Sequence, residues 1–361
     1  MRSLLAEILS MTLQGLGELA SGYLWSLSSP ILSRHPSILI ALPGLAEDRG
    51  AIYGSLAAKY SSMLYTGEAT SPRDLLENKV TAVAVLLGLL GGLYVVLLTS
   101  FLGNPLDVLA YFLVSRGFTL TLVIPFNAYA SFLAFVKGLN VDLVVVSTST
   151  VLADITSSIS ILLTFTPFAL IGIALMLVTT YKYSKNVGRE DLLRYKELMV
   201  SSIIASTLST IAGFVLVANE AQNNPTLLFI TPLTMALNGS ASMNFSSWLG
   251  TALLTGEVDS KELFRSKRVY EIMLRVTFTT LTALTLVLLP AITLANMDLR
   301  GLKWALLSTL TLRLVMPYLS MVVARIGFEK GLDPDLITIP LLSSLNDIVT
   351  AQALTTMAKL I

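Results

Sequence analysis

Runs of about twenty mostly apolar residues, separated by short polar breakers, recur along almost the whole chain. Read with their Pro, Gly and Asn punctuation, they predict eleven helices near 4–29, 36–66, 80–101, 105–136, 142–163, 167–183, 196–218, 226–255, 270–295, 302–327 and 336–358. The two long segments ALPGLAEDRGAIYGSLAAKYSSMLYTGE and ITPLTMALNGSASMNFSSWLGTALLTGE each hold an interior Pro beside polar residues. That pattern predicts a kinked or broken helix that lines water or is buried in protein.

The same two segments begin an internal repeat. A shift of 189 superposes Pro43, Gly50, Leu64, Thr66, Gly67 and Glu68 on Pro232, Gly239, Leu253, Thr255, Gly256 and Glu257. About a hundred residues further on, a shift of 193 superposes Gly138, Leu139, Asp142, Leu143, Leu152, Asp154 and Ile155 on Gly331, Leu332, Asp335, Leu336, Leu345, Asp347 and Ile348. Two motif pairs in one order and nearly one spacing identify a duplicated five-helix unit. In both copies a lone Asp follows the helix-opening Asp by twelve residues. At about 1.5 Å per residue this places Asp154 and Asp347 roughly at mid-bilayer.

Charge then orients the copies. Arg73 and Lys79 follow the second helix of the first copy, and Lys261, Arg265, Lys267 and Arg268 follow its equivalent. Lys137 and Lys330 precede the two Asp-bearing helices, so both copies point the same way by the positive-inside rule. An odd number of helices per copy would invert the second, and the unpaired stretch TFTPFALIGIALMLVTTYKYSKNV supplies the return crossing. Only Arg34, Arg300, Lys303 and Lys359 then fall outside. The expected fold is an all-α polytopic membrane protein: two parallel five-helix repeats, related by a pseudo-twofold axis along the membrane normal and joined by a linking transmembrane helix (5+1+5). The first repeat covers 1–163, the linking helix and its loop 164–190, and the second repeat 191–361. The N-terminus is expected in the cytoplasm and the C-terminus outside, in the plasma membrane. The stretch 4–25 carries Glu7, Gln14 and Glu18 and reads as a retained helix, not a signal peptide.

Composition agrees: of 361 residues 54% are hydrophobic and 13% charged, about half the charged share of a soluble domain. A net charge of +1, sorted by loop, offers nothing to a nucleic acid. Without Cys there is no disulfide, thiolate metal site or Cys nucleophile. The single His35 is placed at an interface. No polar stretch is long enough for a soluble regulatory domain. Arg116 and Arg313 are read as neutralising acids or snorkelling, and Glu271 as a structural partner.

An ionised carboxylate in hydrocarbon must face water or a cation. The axis would bring Asp154 and Asp347 to one central pathway, where two negative charges coexist only around a cation, and a multivalent one fits best. The other candidate ligands are all oxygen donors: Glu47, Asp48, Ser55, Thr150, Asn238, Asn244, Ser343 and Asn346. That donor set suits a hard cation such as Mg2+, held with much of its water. Two plainer readings stand beside this one. A lone Asp could instead relay protons or bind Na+, and Glu47, Asp48 and Arg49 could pair locally at an interface.

The stretches DPDLITIPLLSSLNDIV and VDLVVVSTSTVLADI, with the paired Pro43…Gly50…Thr66-Gly67-Glu68 and Pro232…Asn238-Gly239…Thr255-Gly256-Glu257, resemble the membrane domain of the MgtE magnesium channels. The duplicated form found in solute carrier family 41 is closer still. The resemblance implies Mg2+ as the transported ion, Asp154 and Asp347 as its pore ligands, and a role for Asn238-Gly239 on the second helix. The first copy departs from the pattern, with Arg49 at the Asn position, acids at Glu47 and Asp48, and Ser147 in place of Pro340. An asymmetric pore with extra negative charge from the first copy is therefore expected. The regulatory domains of MgtE have no counterpart in the sequence, so gating by internal Mg2+ would use the membrane helices or be absent. The expected partners are membrane lipid and the divalent cation, and one chain is expected to act as a monomer that is internally a pseudo-dimer. A Na+- or H+-coupled exchanger is the alternative. An intramembrane aspartyl protease is remote, since Val-Leu-Ala precedes Asp154 and Ser-Leu-Asn precedes Asp347 in place of that family's motifs.

Overall fold

A computed structural model describes residues 2–138, 141, 145, 147–185, 187–295, 298–329 and 334–360, without the side chains of 334–341 and of a few other helical positions. Asp142 and the side chains of Ser147, Asp335 and Pro340 thus lie outside the described residues. The described chain is helical throughout: α1 (Arg2–Leu27), α2 (Ser29–Arg34), α3 (Pro36–Thr66), α4 (Pro72–Glu77), α5 (Lys79–Thr99), α6 (Pro105–Val136), α7 (Ser147–Leu163), α8 (Ala169–Ser184), α9 (Arg189–Arg194), α10 (Lys196–Ala218), α11 (Pro225–Leu254), α12 (Lys267–Leu294), α13 (Arg300–Glu329) and α14 (Pro334–Leu360). Among the described residues, α5, α6, α12 and α13 are each long and apolar enough to cross a membrane. Each of the eleven expected spans corresponds to one of the longer helices. The short α2, α4 and α9 were not expected.

Local chemistry sets the ends. Pro opens α3, α4, α6 and α11 at the first turn, where its missing N–H is no loss. The side chains of Asn104 and Asn224 accept from Leu106 N–H (3.1 Å) and Leu227 N–H (3.0 Å) ahead of α6 and α11. The repeated Thr-Gly-Glu closes α3 and α11 in the same way. Gly67 and Gly256 take left-handed φ of 75° and 72°, each amide donates to the Leu three residues back at 3.3 Å, and Ala69 and Val258 N–H reach back to Met63 O (3.1 Å) and Ala252 O (3.2 Å).

Of the kinked or broken helices expected at Pro43 and Pro232, neither is broken: α3 and α11 run through them. One missing backbone bond is outweighed by packing, since Leu39, Leu42 and Leu45 around Pro43 and Leu228 and Leu233 around Pro232 are almost wholly buried.

The chain divides into two compact units. One comprises Met1–Ser29 and Ile211–Ile361, in which α1 packs on α11 and α12, α11 on α13 and α14, and α13 on α14. The other is Pro30–Thr210, in which α3 packs on α5, α6 and α7, and α6 on α7 and α8. These are not the sequence repeats 1–163 and 191–361. The first helix of the first repeat, α1, packs with second-repeat helices: Gln14 accepts from Ser240 at 2.8 Å, and Arg275 donates to both oxygens of Glu7 at 2.6 and 2.9 Å. Residues of α10 up to Thr210, from the second repeat, pack among first-repeat helices. The linking stretch read at 164–190 contains α8, which lies along α6.

The surface is unusually apolar, while the core is largely apolar as well. Leu5, Leu9, Leu13 and Leu16 form an exposed stripe along α1, and Leu170, Leu177, Val178 and Tyr181 are exposed on α8. Inside, hydroxyls are buried and satisfied within their own helices, as where Thr231 and Thr234 donate to Leu227 O and Ile230 O.

Candidate functional site

In the Pro30–Thr210 unit, consecutive residues of α3 point about 100° apart and therefore engage different neighbours. Asp48 is fully buried. It accepts from Arg116 of α6 at 2.5 Å and from Ser202 of α10 at 3.1 Å. Gly91 of α5 leaves room for that carboxylate, which a Cβ there would strike. Arg49 turns instead to α7 and donates through Nη2 to Asp154 Oδ1 at 3.2 Å. Arg49 is 4% exposed and among the described residues its Nε has no partner, whereas Asp154 is 22% exposed. Thr150, one turn before Asp154 on α7, and Glu47 on α3 are half-buried. The plainer reading of Glu47, Asp48 and Arg49 as a locally paired cluster is corrected for Asp48 and Arg49, because both ion pairs cross between helices.

The equivalent stretch of the other unit is built from amides. Asn238 of α11 is fully buried and donates to Thr309 Oγ1 of α13 at 3.1 Å. Arg313 of α13 donates through Nη2 to Asn238 O (2.9 Å), Asn238 Oδ1 (3.3 Å) and Ser242 Oγ (3.3 Å). Asn346 of α14 reaches the same group. With its amide oriented to satisfy its neighbours, it donates to Ser242 Oγ (3.2 Å) and Asn238 O (3.3 Å) and accepts from Gly239 N–H (3.0 Å). Asp347 follows immediately and is half-buried, as is Ser343 one turn earlier on α14. Asn238-Gly239 and Asn346-Asp347, over a hundred residues apart, are thus brought together.

Two candidates stand apart from both clusters. Ser55 lines a small cavity of about 30 Å³ with Lys59 and Tyr195. Asn244 is exposed on a cavity of about 400 Å³ with Glu7, Trp248 and Arg275.

Arg116 does neutralise an acid. Arg313 corrects the same expectation, since it is buried, does not snorkel, and among the described residues forms no ion pair. Its stem comes off the middle of α13, too deep to reach a surface, and the shift of 189 puts the apolar Leu237 opposite the acid Asp48. His35 stacks on Phe165 and lies 3.1 Å from Asp107. Glu271 pairs with Lys267 and Arg268, as a structural partner would. The Arg49–Asp154 contact escaped the sequence, although the substitution of Arg for Asn was visible in it.

Among the described residues, no three acids or histidines converge. A cation here would meet isolated carboxylates, amide oxygens and hydroxyls, a set that leaves most of its coordination to water.

Residues 231–357 match the sequence model of the MgtE family, described as divalent cation transporter. None of the curated proteins and none of the solved structures compared with the chain matches it. The match begins just before Pro232, ends after Asp347, and takes in Asn238, Gly239 and Asn346. With its long apolar helices the chain is a multi-pass membrane protein, and its residues 231–357 are similar to the MgtE divalent cation transporters.

Proposed function

We propose that the protein carries Mg2+ across the plasma membrane, with Asp347 the principal carboxylate for the ion and Asp154 its counterpart in the first repeat. The observation that carries this reading is the family match over the segment in which Asn346 and Asp347 adjoin Asn238-Gly239. Mg2+ sheds water reluctantly, so its hydrated form is held through hydrogen bonds from its own waters to carboxylate, amide and hydroxyl oxygens. Asp347 supplies the negative charge that makes the apolar surroundings tolerable for a cation, and Ser343 and Asn346 supply acceptors on the same helix. In the 5+1+5 arrangement one chain suffices as a monomer, with the N-terminus in the cytoplasm and the C-terminus outside.

The test is flux into liposomes containing the purified protein, followed with a Mg2+-sensitive dye. Wild-type protein passes Mg2+ and Asp347→Asn reduces the rate to background while eluting as a folded species. Equal rates in wild type and variant, or no Mg2+ flux in wild type, defeat the proposal. A rate that responds to an imposed Na+ or H+ gradient identifies coupled exchange.

A further inference from the structure

Asp48 and Asp154 lie in the same unit, and each is met by an arginine, but the two pairs are built differently. Asp48 is sealed: it has no exposure, accepts from Arg116 at 2.5 Å, and accepts also from Ser202. Asp154 receives one guanidinium N–H at 3.2 Å, and among the described residues no other donor reaches its carboxylate. Among the described residues its partner Arg49 makes that single hydrogen bond, with Nε unsatisfied, short of a two-bond fork. Asp154 remains 22% exposed, so the carboxylate that Arg49 holds from one side is not fully covered by the protein. In the second repeat the position equivalent to Arg49 is Asn238, an uncharged amide.

We propose that Arg49 is a tethered cation competing with the transported ion for Asp154. A divalent ion that reaches Asp154 displaces the guanidinium, and when the ion leaves the guanidinium returns. Asp154 is never left as a bare carboxylate in an apolar interior, where it would be costly. Arg49 also weakens ion binding at the first-repeat carboxylate, because each ion must first break an existing ion pair. The two repeats then differ in affinity through one substitution, Arg49 against Asn238. The proposal rests on the cation-transport reading and assigns Arg49 as the residue that tunes it.

The experiment titrates Mn2+ into the full-length purified protein, with free ion followed by electron paramagnetic resonance, beside Mg2+ flux in liposomes. Arg49→Gln removes the competing charge and is expected to tighten Mn2+ binding about tenfold. The double variant Arg49→Gln/Asp154→Asn is expected to lose that gain. Arg49→Lys, a shorter and weaker competitor, falls between wild type and Arg49→Gln. A folded Arg49→Gln with wild-type affinity overturns the proposal, and so does a gain that survives in the double variant. If Arg49→Gln does not fold, Arg49→Lys decides, and an unchanged affinity there overturns it. Wild-type protein that binds Mn2+ with this dependence but passes no Mg2+ refutes the transport reading alone.

Discussion

Asp48 and Arg116 meet at 2.5 Å with 0% and 2% exposure, an ion pair in the interior of the Pro30–Thr210 unit that ties α3 to α6. Breaking such a pair from one side leaves an uncompensated buried charge. Asp48→Asn is therefore expected to destabilise the protein by about 3–5 kcal/mol, read as a lowered unfolding temperature in detergent. Asp48→Asn combined with Arg116→Met should regain part of that loss, since neither charge then remains. A double variant no more stable than Asp48→Asn alone would contradict the pairing.

Arg313 gives the opposite expectation. It donates only to the neutral oxygens of Asn238 and Ser242, so removing its charge strands no acid among the described residues. Arg313→Gln should cost less than about 2 kcal/mol, clearly less than Arg116→Gln, when both are compared by thermal unfolding.

Gly67 and Gly256 hold the same left-handed cap at the ends of α3 and α11. Ala at either position is forced into a conformation that costs an L-residue about 1–2 kcal/mol, with open space around each Cβ and no compensating or aggravating contact. The two substitutions should lower stability by similar amounts in parallel melts. A large difference between them would mean that the caps are not equivalent.

Asp74, in the short α4 between α3 and α5, supplies a pH dependence outside the membrane-spanning helices. Hydrogen bonds from Thr70, through both its backbone and its hydroxyl, and from Ser71 hold its carboxyl below the ordinary value of 3.8. Because the folded form binds its proton less readily than the unfolded chain, the contribution is fully present above that ordinary value. It is lost as pH falls through the lower folded one. Hydrogen exchange of the α4 amides should therefore show opening of the capping box below about pH 4 in wild type. Asp74→Asn should flatten that change. An identical acid response in both proteins would exclude Asp74 as its source.

Asn238→Ala removes an amide that orders Thr309, Arg313 and, through its backbone neighbours, Asn346. Loss of such a supporting group is expected to weaken divalent-ion affinity about tenfold, with a small change in unfolding temperature. Unaltered Mn2+ binding would separate the amide cluster from the ion.

Much of the architecture could be read along the chain. Pro36 and Pro105 at first turns, Gly67 beyond a last turn, and mostly apolar stretches between them bound α3 and α6 at the expected residues, because these signals act within a few residues of where they stand. Whether Pro43 and Pro232 would break their helices was not legible, since a lost backbone bond is a local signal and the packing that outweighs it is not. The matched Thr-Gly-Glu stretches were equally legible, and Gly67 and Gly256 within them take the same left-handed cap.

Sequence alone determined where the apolar helices lie and that Asp154 and Asp347 stand in matching stretches of residues, for each of these follows from the order of residue types. Tertiary structure alone decided that Asp48 belongs to Arg116, that Asp154 is shared with Arg49, and that α1 packs with the helices of the second repeat. Charges choose partners by distance and burial, and two adjacent residues of one helix face different neighbours, so no reading along the chain could assign them.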